Sequence, residues 1–132
     1  MKYLLDTNAC IQFLNKRNSE VQRRLATARR EEIVICQIVK AELYYGAYKS
    51  SRRAENLALL VRFFSQFESL PFDDAAAEAY GRIRAELTRR GKPIGPNDLM
   101  IAAIAVAHDL TLVTHNTAEF SRVPDLHVED WE

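Results

Sequence analysis

An α/β fold on a central, mainly parallel sheet is the class this sequence predicts, and three observations predict it. Short apolar runs recur along the chain. Each is separated from the next by one or two stretches with helical periodicity. The 132 residues, of which 48% are hydrophobic, suffice for one core, so residues 1–132 are read as a single domain. Short strands alternating with helices pair in parallel and are covered on both faces, with right-handed crossovers.

Tyr3-Leu4-Leu5 reads as a strand that stops at Asp6. Asp6, Thr7 and Asn8 each offer an N-cap side chain for a helix over Ala9–Leu14. A charged helix follows over Glu20–Arg30, then the β-branched run Ile33–Cys36, a buried strand. Val39–Tyr48 and Ala54–Phe67 read as two helices forming a hairpin, and Ser69–Phe72 as a brief strand. Asp74–Arg90 places Ala76, Ala79, Tyr80, Ile83 and Leu87 on one stripe of a long helix. Two glycines and two prolines make 91–96 a loop. Asn97–His108 is an almost wholly apolar helix, hence central, and Thr111–Thr114 the next strand. Asn116–Phe120 reads as a loop or single helical turn, and Leu126–Val128 as an edge strand.

Charge and cysteine usage exclude several classes. Eighteen basic and eighteen acidic residues cancel, which excludes a globally basic nucleic-acid binder but not a local basic face. Residues 1–66 hold 12 basic and 6 acidic side chains and residues 67–132 the reverse, suggesting opposed surfaces. Cys10 and Cys36 lie in apolar stretches without CxxC spacing and read as buried thiols, not zinc or redox groups. The start MKYLLDTN meets a carboxylate after three apolar residues, unlike a signal peptide. The apolar run Leu99–Ala107 is far short of the ~20 residues a bilayer demands. A reduced, cytoplasmic protein without a membrane association is expected.

In parallel α/β sheets ligands sit beyond the carboxyl ends of the strands. Asp6 lies beyond the first strand, Glu42 in the helix after the second, Asp98 in the first turn of the apolar helix, and Asn116 and Glu119 beyond the Thr111–Thr114 strand. Each has a plainer reading. Asp6 could cap its helix; Glu42 could pair with Lys40, Lys49 or a distant arginine; Asp98 could answer the helix dipole; Asn116 could be a turn residue and Glu119 solvated surface. Converging, the carboxylates would raise one another's pKa values, a penalty that a hard cation removes. An all-oxygen set suits Mg²⁺ or Mn²⁺. His108, His115 and His127 form no zinc motif, and His115 reads as an exposed loop residue. Phosphate loops, dinucleotide fingerprints and nucleophile elbows are absent from the sequence. An aspartyl phosphatase wants a second Asp where Asn8 stands.

LLDTN, VKAELYYGA around Glu42, GPNDLMIAA around Asp98 and LVTHNTAEF, in that order, resemble the PIN-domain family, and more closely its VapC-type toxin ribonucleases. The closing pattern, Val123-Pro124 after Phe120 and then Asp130-Trp131, belongs to the same resemblance. It implies a three-layer α/β/α PIN-like fold and Mg²⁺-dependent endoribonuclease activity. It assigns the first three acids to Asp6, Glu42 and Asp98, with Asp6 and Asp98 as direct metal ligands. Many members carry Asp where this chain has Asn116, so either Asn116 or Glu119 completes the site. Thr7 corresponds to a hydroxyl residue beside the first Asp.

The reaction expected is phosphodiester hydrolysis, in which Glu42 or Glu119 orients a water or takes its proton; it leaves a 5′-phosphate and a 3′-hydroxyl. Lys16, Arg17, Lys49, Arg52 and Arg53, with Arg89, Arg90 and Lys92, are candidates for a basic rim. No obvious ladder of stacking residues stands out, so recognition of a folded RNA loop by shape and phosphate contacts is expected; the resemblance implies structured RNAs such as transfer RNA as substrates. The resemblance further implies a VapB-type antitoxin and a homodimer. Leu43, Tyr44, Tyr45, Tyr48, Leu60, Phe63 and Phe64 exceed what one helix face needs; they are either core or a seat for a partner helix. A catalytically weak PIN-like RNA-binding or interaction module, and a nuclease of RNA processing that is not a toxin, are the alternatives.

Overall fold

The computed structural model describes residues 2–15 and 20–132; Lys16 and Arg17 of the expected basic rim lie outside them. Thirteen elements follow in chain order: β1 (Tyr3–Leu5), α1 (Thr7–Asn15), α2 (Glu20–Thr27), a 3₁₀ turn (Arg30–Glu32), β2 (Ile33–Cys36), α3 (Gln37–Lys49), α4 (Arg53–Phe64), β3 (Glu68–Leu70), α5 (Asp74–Arg89), α6 (Pro96–Ala107), β4 (Thr111–Val113), α7 (Thr117–Phe120) and β5 (His127–Glu129). The strands make one five-stranded sheet in the order β3-β2-β1-β4-β5, and every pairing is parallel. The α/β class and the parallel sheet are as the sequence predicts.

Strand order follows from the crossovers. From β1 the chain steps outward to β2 and β3, then returns over the sheet to β4 and β5 on β1's other side. Right-handed connections therefore put α1–α4 on one face and α5–α7 on the other. β1 is the point where the winding reverses, and its carboxyl end opens the crevice in which such sheets bind ligands. The register brings Leu5 level with Val113 and Cys36 level with Leu70, so the residues that follow, Asp6, Gln37 and Thr114, emerge along one rim.

Both faces of the sheet are dry. Leu4, Leu5, Ile33–Cys36, Leu112 and Val113 are all buried, the pattern of strands covered on two sides. α6 is buried along Leu99 and Ile101–Ala105, and its alanines let α5 approach through Ala76, Ala79, Ile83 and Leu87. Two helix ends set the loops beside the site. α5 closes in a Schellman motif, with Gly91 at φ 68° and bonds from Gly91 N–H to Thr88 O and Lys92 N–H to Leu87 O. That reversal aims residues 92–95 back toward the sheet. α6 closes in the same way around Asp109 at φ 53°, through Leu110 N–H to Ala105 O at 2.8 Å, and enters β4 two residues later.

Several boundaries differ from the sequence reading. The charged helix stops at Thr27 and gives way to the 3₁₀ turn. The second hairpin helix ends at Phe64, where Ser65 turns its hydroxyl onto Arg62 O; Phe67 instead packs edge-on against Phe63. β3 lies at Glu68–Leu70, not 69–72, since Pro71 cannot donate to a ladder. Cys10 and Cys36 are buried; burial pushes the Cys10 thiol well up and the Cys36 thiol to about 11, so both stay protonated.

Candidate active site

Asp6 stands where β1 ends. Its N–H still belongs to the ladder, donating to Val113 O at 3.1 Å. Its Oδ1 accepts from Ala9 N–H at 2.8 Å, which caps α1. The cap uses one oxygen only, so capping α1 and serving the site are compatible. The residue is 4% exposed. Burial is the main force raising its pKa; bonds from the Thr114 hydroxyl and Ala9 N–H oppose it, and Glu132 and Glu42 add to it.

Glu42 reaches the same place from the second turn of α3. Thr7 donates its hydroxyl to Glu42 Oε1 at 2.6 Å. Among the described residues, Glu42 forms no ion pair with Lys40 or Lys49. Lys40 Nζ lies 5.0 Å from the centre of the Phe64 ring and Lys49 Nζ 4.9 Å from that of Tyr45, each cation resting on an aromatic face instead.

Asp98 is the third residue of α6, behind Pro96, whose missing N–H costs nothing in a first turn. Its carboxyl is pushed up to about 6, first by burial, then by the charges of Glu119, Glu42 and Asp6, and by a carboxyl–carboxyl hydrogen bond with Glu119. Three acids from three other elements thus act on Asp98. Asp98 is the one whose titration records all the others.

Glu119 comes from α7, a single turn. Its Oε1 accepts from Gly95 N–H at 3.3 Å and its Oε2 from Asn116 Nδ2 at 2.8 Å. Asn116 N–H in turn donates to Thr114 Oγ1 at 3.0 Å. Asn116 thus holds the Glu119 side chain from the start of α7. Thr114, 1% exposed, ties this arm to Asp6, a link that a lone threonine at a strand end did not signal.

The C-terminal tail borders the site as well. Trp131 is 4% exposed and packs at a tilt against Tyr3, ring centres 5.2 Å apart, which draws Glu132 close enough to act on Asp6. His115 Nδ1 lies 3.0 Å from Asp130 Oδ2. His115 is exposed, as expected, but it forms with Asp130 and Glu132 an exposed group whose ligand atoms lie within 4.8 Å of one another. No three of the strand-end acids gather so tightly among the described residues, as mutually repelling charges do. Sequence reasoning missed these tail acids, whose signal was only the count of charges around a terminal tryptophan.

Beside Glu42 a groove of about 170 Å³ runs between α1, α3 and α4, lined by Ile11, Leu14, Leu43, Ala47, Leu59 and Leu60. The aromatic hairpin residues divide: Leu43, Leu60, Phe63 and Phe64 are core, whereas Tyr45 and Tyr48 are exposed.

A donor set made only of carboxylate oxygens, with the Asp98 carboxyl raised to about 6 by burial first and neighbouring acids second, fits a hard divalent cation. A parallel sheet in this order, with acids gathered near its switch point, has the architecture of the PIN class of nucleases. The PIN domain model matches residues 3–126. The chain is 43% identical to the tRNA(fMet)-specific endonuclease VapC of Shigella flexneri, over 99% of this chain and 98% of that one. It is 41% identical to ribonuclease VapC2 of Rickettsia felis over 100% and 99%. Among solved structures, it superposes on VapBC2 of Rickettsia felis bound to a promoter DNA fragment with a TM-score of 0.93, at 41% identity, over 100% of both chains. DNA-bound VapBC of Salmonella typhimurium gives 0.92 at 42% identity, over 100% and 99%. The chain belongs to the PIN-domain family, in its VapC branch of toxin ribonucleases. PIN nucleases generally use divalent metals, and no helix among the described residues is long and apolar enough to cross a membrane.

Proposed function

We propose that this chain, residues 1–132 acting as one PIN domain, cleaves structured RNA in the cytoplasm with Mg²⁺ held by Asp6 and Asp98, Mn²⁺ being the close substitute. The observation that carries this reading is geometric: Asp6 at the end of β1, Glu42 held by the Thr7 hydroxyl at 2.6 Å, Asp98 at the head of α6 and Glu119 held by Gly95 N–H bring four carboxyls to one rim of the sheet, and burial with the charges of Glu119, Glu42 and Asp6 raises the Asp98 carboxyl to about 6. A site that crowds charge so strongly is arranged for a cation. When bound, the cation supplies neutralisation of phosphate charge and a lowered pKa for water. The chain's own residues do the rest. Glu42, oriented by Thr7, and Glu119, clamped by Asn116, stand as acceptors for the proton of an attacking water. Transfer RNA is the favoured substrate class, because the Shigella flexneri relative is named for tRNA(fMet).

A polyanion approaching this centre needs cations at the rim. Arg90, Lys92 and Arg122 line a polar cavity of about 390 Å³ beside α7. Arg89 and Arg90 are already engaged with Glu86, so Lys92 and Arg122 carry more of that task.

Control by a VapB-type antitoxin fits the same geometry. The aliphatic groove ends at Glu42, so an amphipathic helix seated in it can direct a basic side chain into the acidic centre and take the cation's place. The VapBC assemblies of Rickettsia felis and Salmonella typhimurium support such a partner. A homodimer is the proposed assembly of the toxin.

Purified chain freed of antitoxin, incubated with Mg²⁺ and tRNA(fMet), is expected to give discrete fragments with 5′-phosphate and 3′-hydroxyl ends, and Asp6→Asn none. Equal cutting by both proteins, or cyclic phosphate products that persist in chelator, would overturn the reading.

A further inference from the structure

We propose that Tyr45, capped by Lys49, is a base-stacking platform that positions the RNA strand beside the acidic centre. The proposal rests on the chain being a ribonuclease. α3 carries Glu42, then Tyr45 and Lys49 at intervals of three and four residues, so the three lie on one side of the helix. At 1.5 Å per residue, Tyr45 stands about 4.5 Å further along the axis than Glu42.

Tyr45 is 66% exposed, the most open of the large apolar side chains described. Lys49 Nζ lies 4.9 Å from its ring centre. Three residues on, Tyr48 is 55% exposed, and the guanidinium of Arg53 lies 5.9 Å from its ring centre. A π-face left in water with a cation resting on it is the pairing that single-strand binders use, ring to base and cation to phosphate. Lys49 and Arg53 face solvent, and Arg52 pairs with exposed Glu55 at 2.8 Å. A strand leaving the negative centre along this side therefore meets positive charge.

The other flank of α3 differs in kind. There Leu43 and Ala47 join Leu59, Leu60, Ile11 and Leu14 in an aliphatic groove without cations, the seat proposed above for the antitoxin helix. One helix thus separates two ligands by chemistry: aliphatic side chains for a protein, cation-bearing rings for RNA.

Binding is read in Asp6→Asn chain, by anisotropy of labelled tRNA(fMet), so that cutting does not intrude. Adding Tyr45→Ala is expected to weaken binding about tenfold, while Tyr45→Phe and Tyr45→Trp stay within about twofold, because stacking needs a ring and not a hydroxyl. Lys49→Ala should reduce the slope of log affinity against log salt by roughly one. In the active chain Tyr45→Ala should raise KM by the same factor and leave kcat nearly unchanged. Unaltered RNA affinity for Tyr45→Ala overturns the proposal. So does unaltered RNA affinity with weakened homodimer or antitoxin association, which would make this side a protein interface. Should Asp6→Asn still cut RNA, the catalytic reading falls, and the Tyr45→Ala comparison of affinities still decides the stacking platform.

Discussion

Asp6 and Glu119 both act on the Asp98 carboxyl and are held in opposite ways. Asp6 is fixed by the fold itself: its N–H completes the sheet, one oxygen caps α1, and it is 4% exposed. Glu119 sits on one helical turn and is steered by two donors, Gly95 N–H and Asn116 Nδ2. Moving Asp6 means moving β1, whereas moving Glu119 takes only a rotation of side chains. The rigid arm suits an invariant ligand position, and the adjustable arm suits closure onto a substrate.

The sharpest way to break the contrast is Asp6→Asn. Asn caps helices as well as Asp does, so α1 and the melting temperature should persist while cleavage falls by roughly a thousandfold. Asp6→Ala should add a stability loss of about 1 kcal/mol from the vacant cap. If Asp6→Asn unfolds the chain, the fixed arm is structural first and the comparison fails. Thermal unfolding and RNA cleavage measured on both variants decide it.

Asp98 supplies a test by pH. Its folded pKa, about 6, stands above the ordinary carboxyl value of 3.8. Between those values the native chain holds a proton the unfolded chain has lost, so without divalent cation stability falls as pH rises through this window. Asp98→Asn should flatten most of that slope, Asp6, also raised, keeping the remainder. Cations compete with the same proton, so Mg²⁺ should bind more weakly as pH drops below about 6. Calorimetric melts between about pH 4 and pH 7, with and without Mg²⁺, read both effects.

How far the sequence disclosed this arrangement depends on the range of the interaction. Ile33–Cys36 was legible because an apolar β-branched run can do little but form a buried strand. The apolar stretch ending at His108 announced a central helix for the same reason. Asp6, Glu42 and Asp98 could be placed because each follows directly from a legible strand or helix. The clamp of Asn116 on Glu119 could not, since it depends on the exact turn of a four-residue helix, and Asn116 was as plausible a ligand as its neighbour. The approach of Glu132 to Asp6 was hidden as well: it is produced by Trp131 packing on Tyr3, a contact spanning almost the whole chain.

The adjustable arm gives the intermediate effects. Glu119→Gln removes its charge but leaves an oxygen for Gly95, and cleavage should fall about a hundredfold. Asn116→Ala leaves the charge and removes the clamp, so about tenfold is expected. Asn116→Asp sets a like charge against Glu119; it should destabilise the metal-free chain and tighten Mg²⁺ binding. A larger loss from Asn116→Ala than from Glu119→Gln would reverse their roles, making Asn116 the group that meets substrate.

Thr7 gives an effect no larger than that of Asn116 and the finest discrimination. Its hydroxyl donates to Glu42 Oε1 at 2.6 Å, yet the residue is a branched side chain in the first turn of α1 that valine fills equally well. Thr7→Val should cost only about 1 kcal/mol of stability. Cleavage should fall by about tenfold through kcat, because Glu42 loses the bond that orients it and no lysine among its helical neighbours is free to replace it. Thr7→Ser keeps the hydroxyl and should restore most of the rate. If Thr7→Val and Thr7→Ser behave alike, Glu42 is positioned by α3 alone, and it joins Asp6 among the groups that the backbone holds unaided.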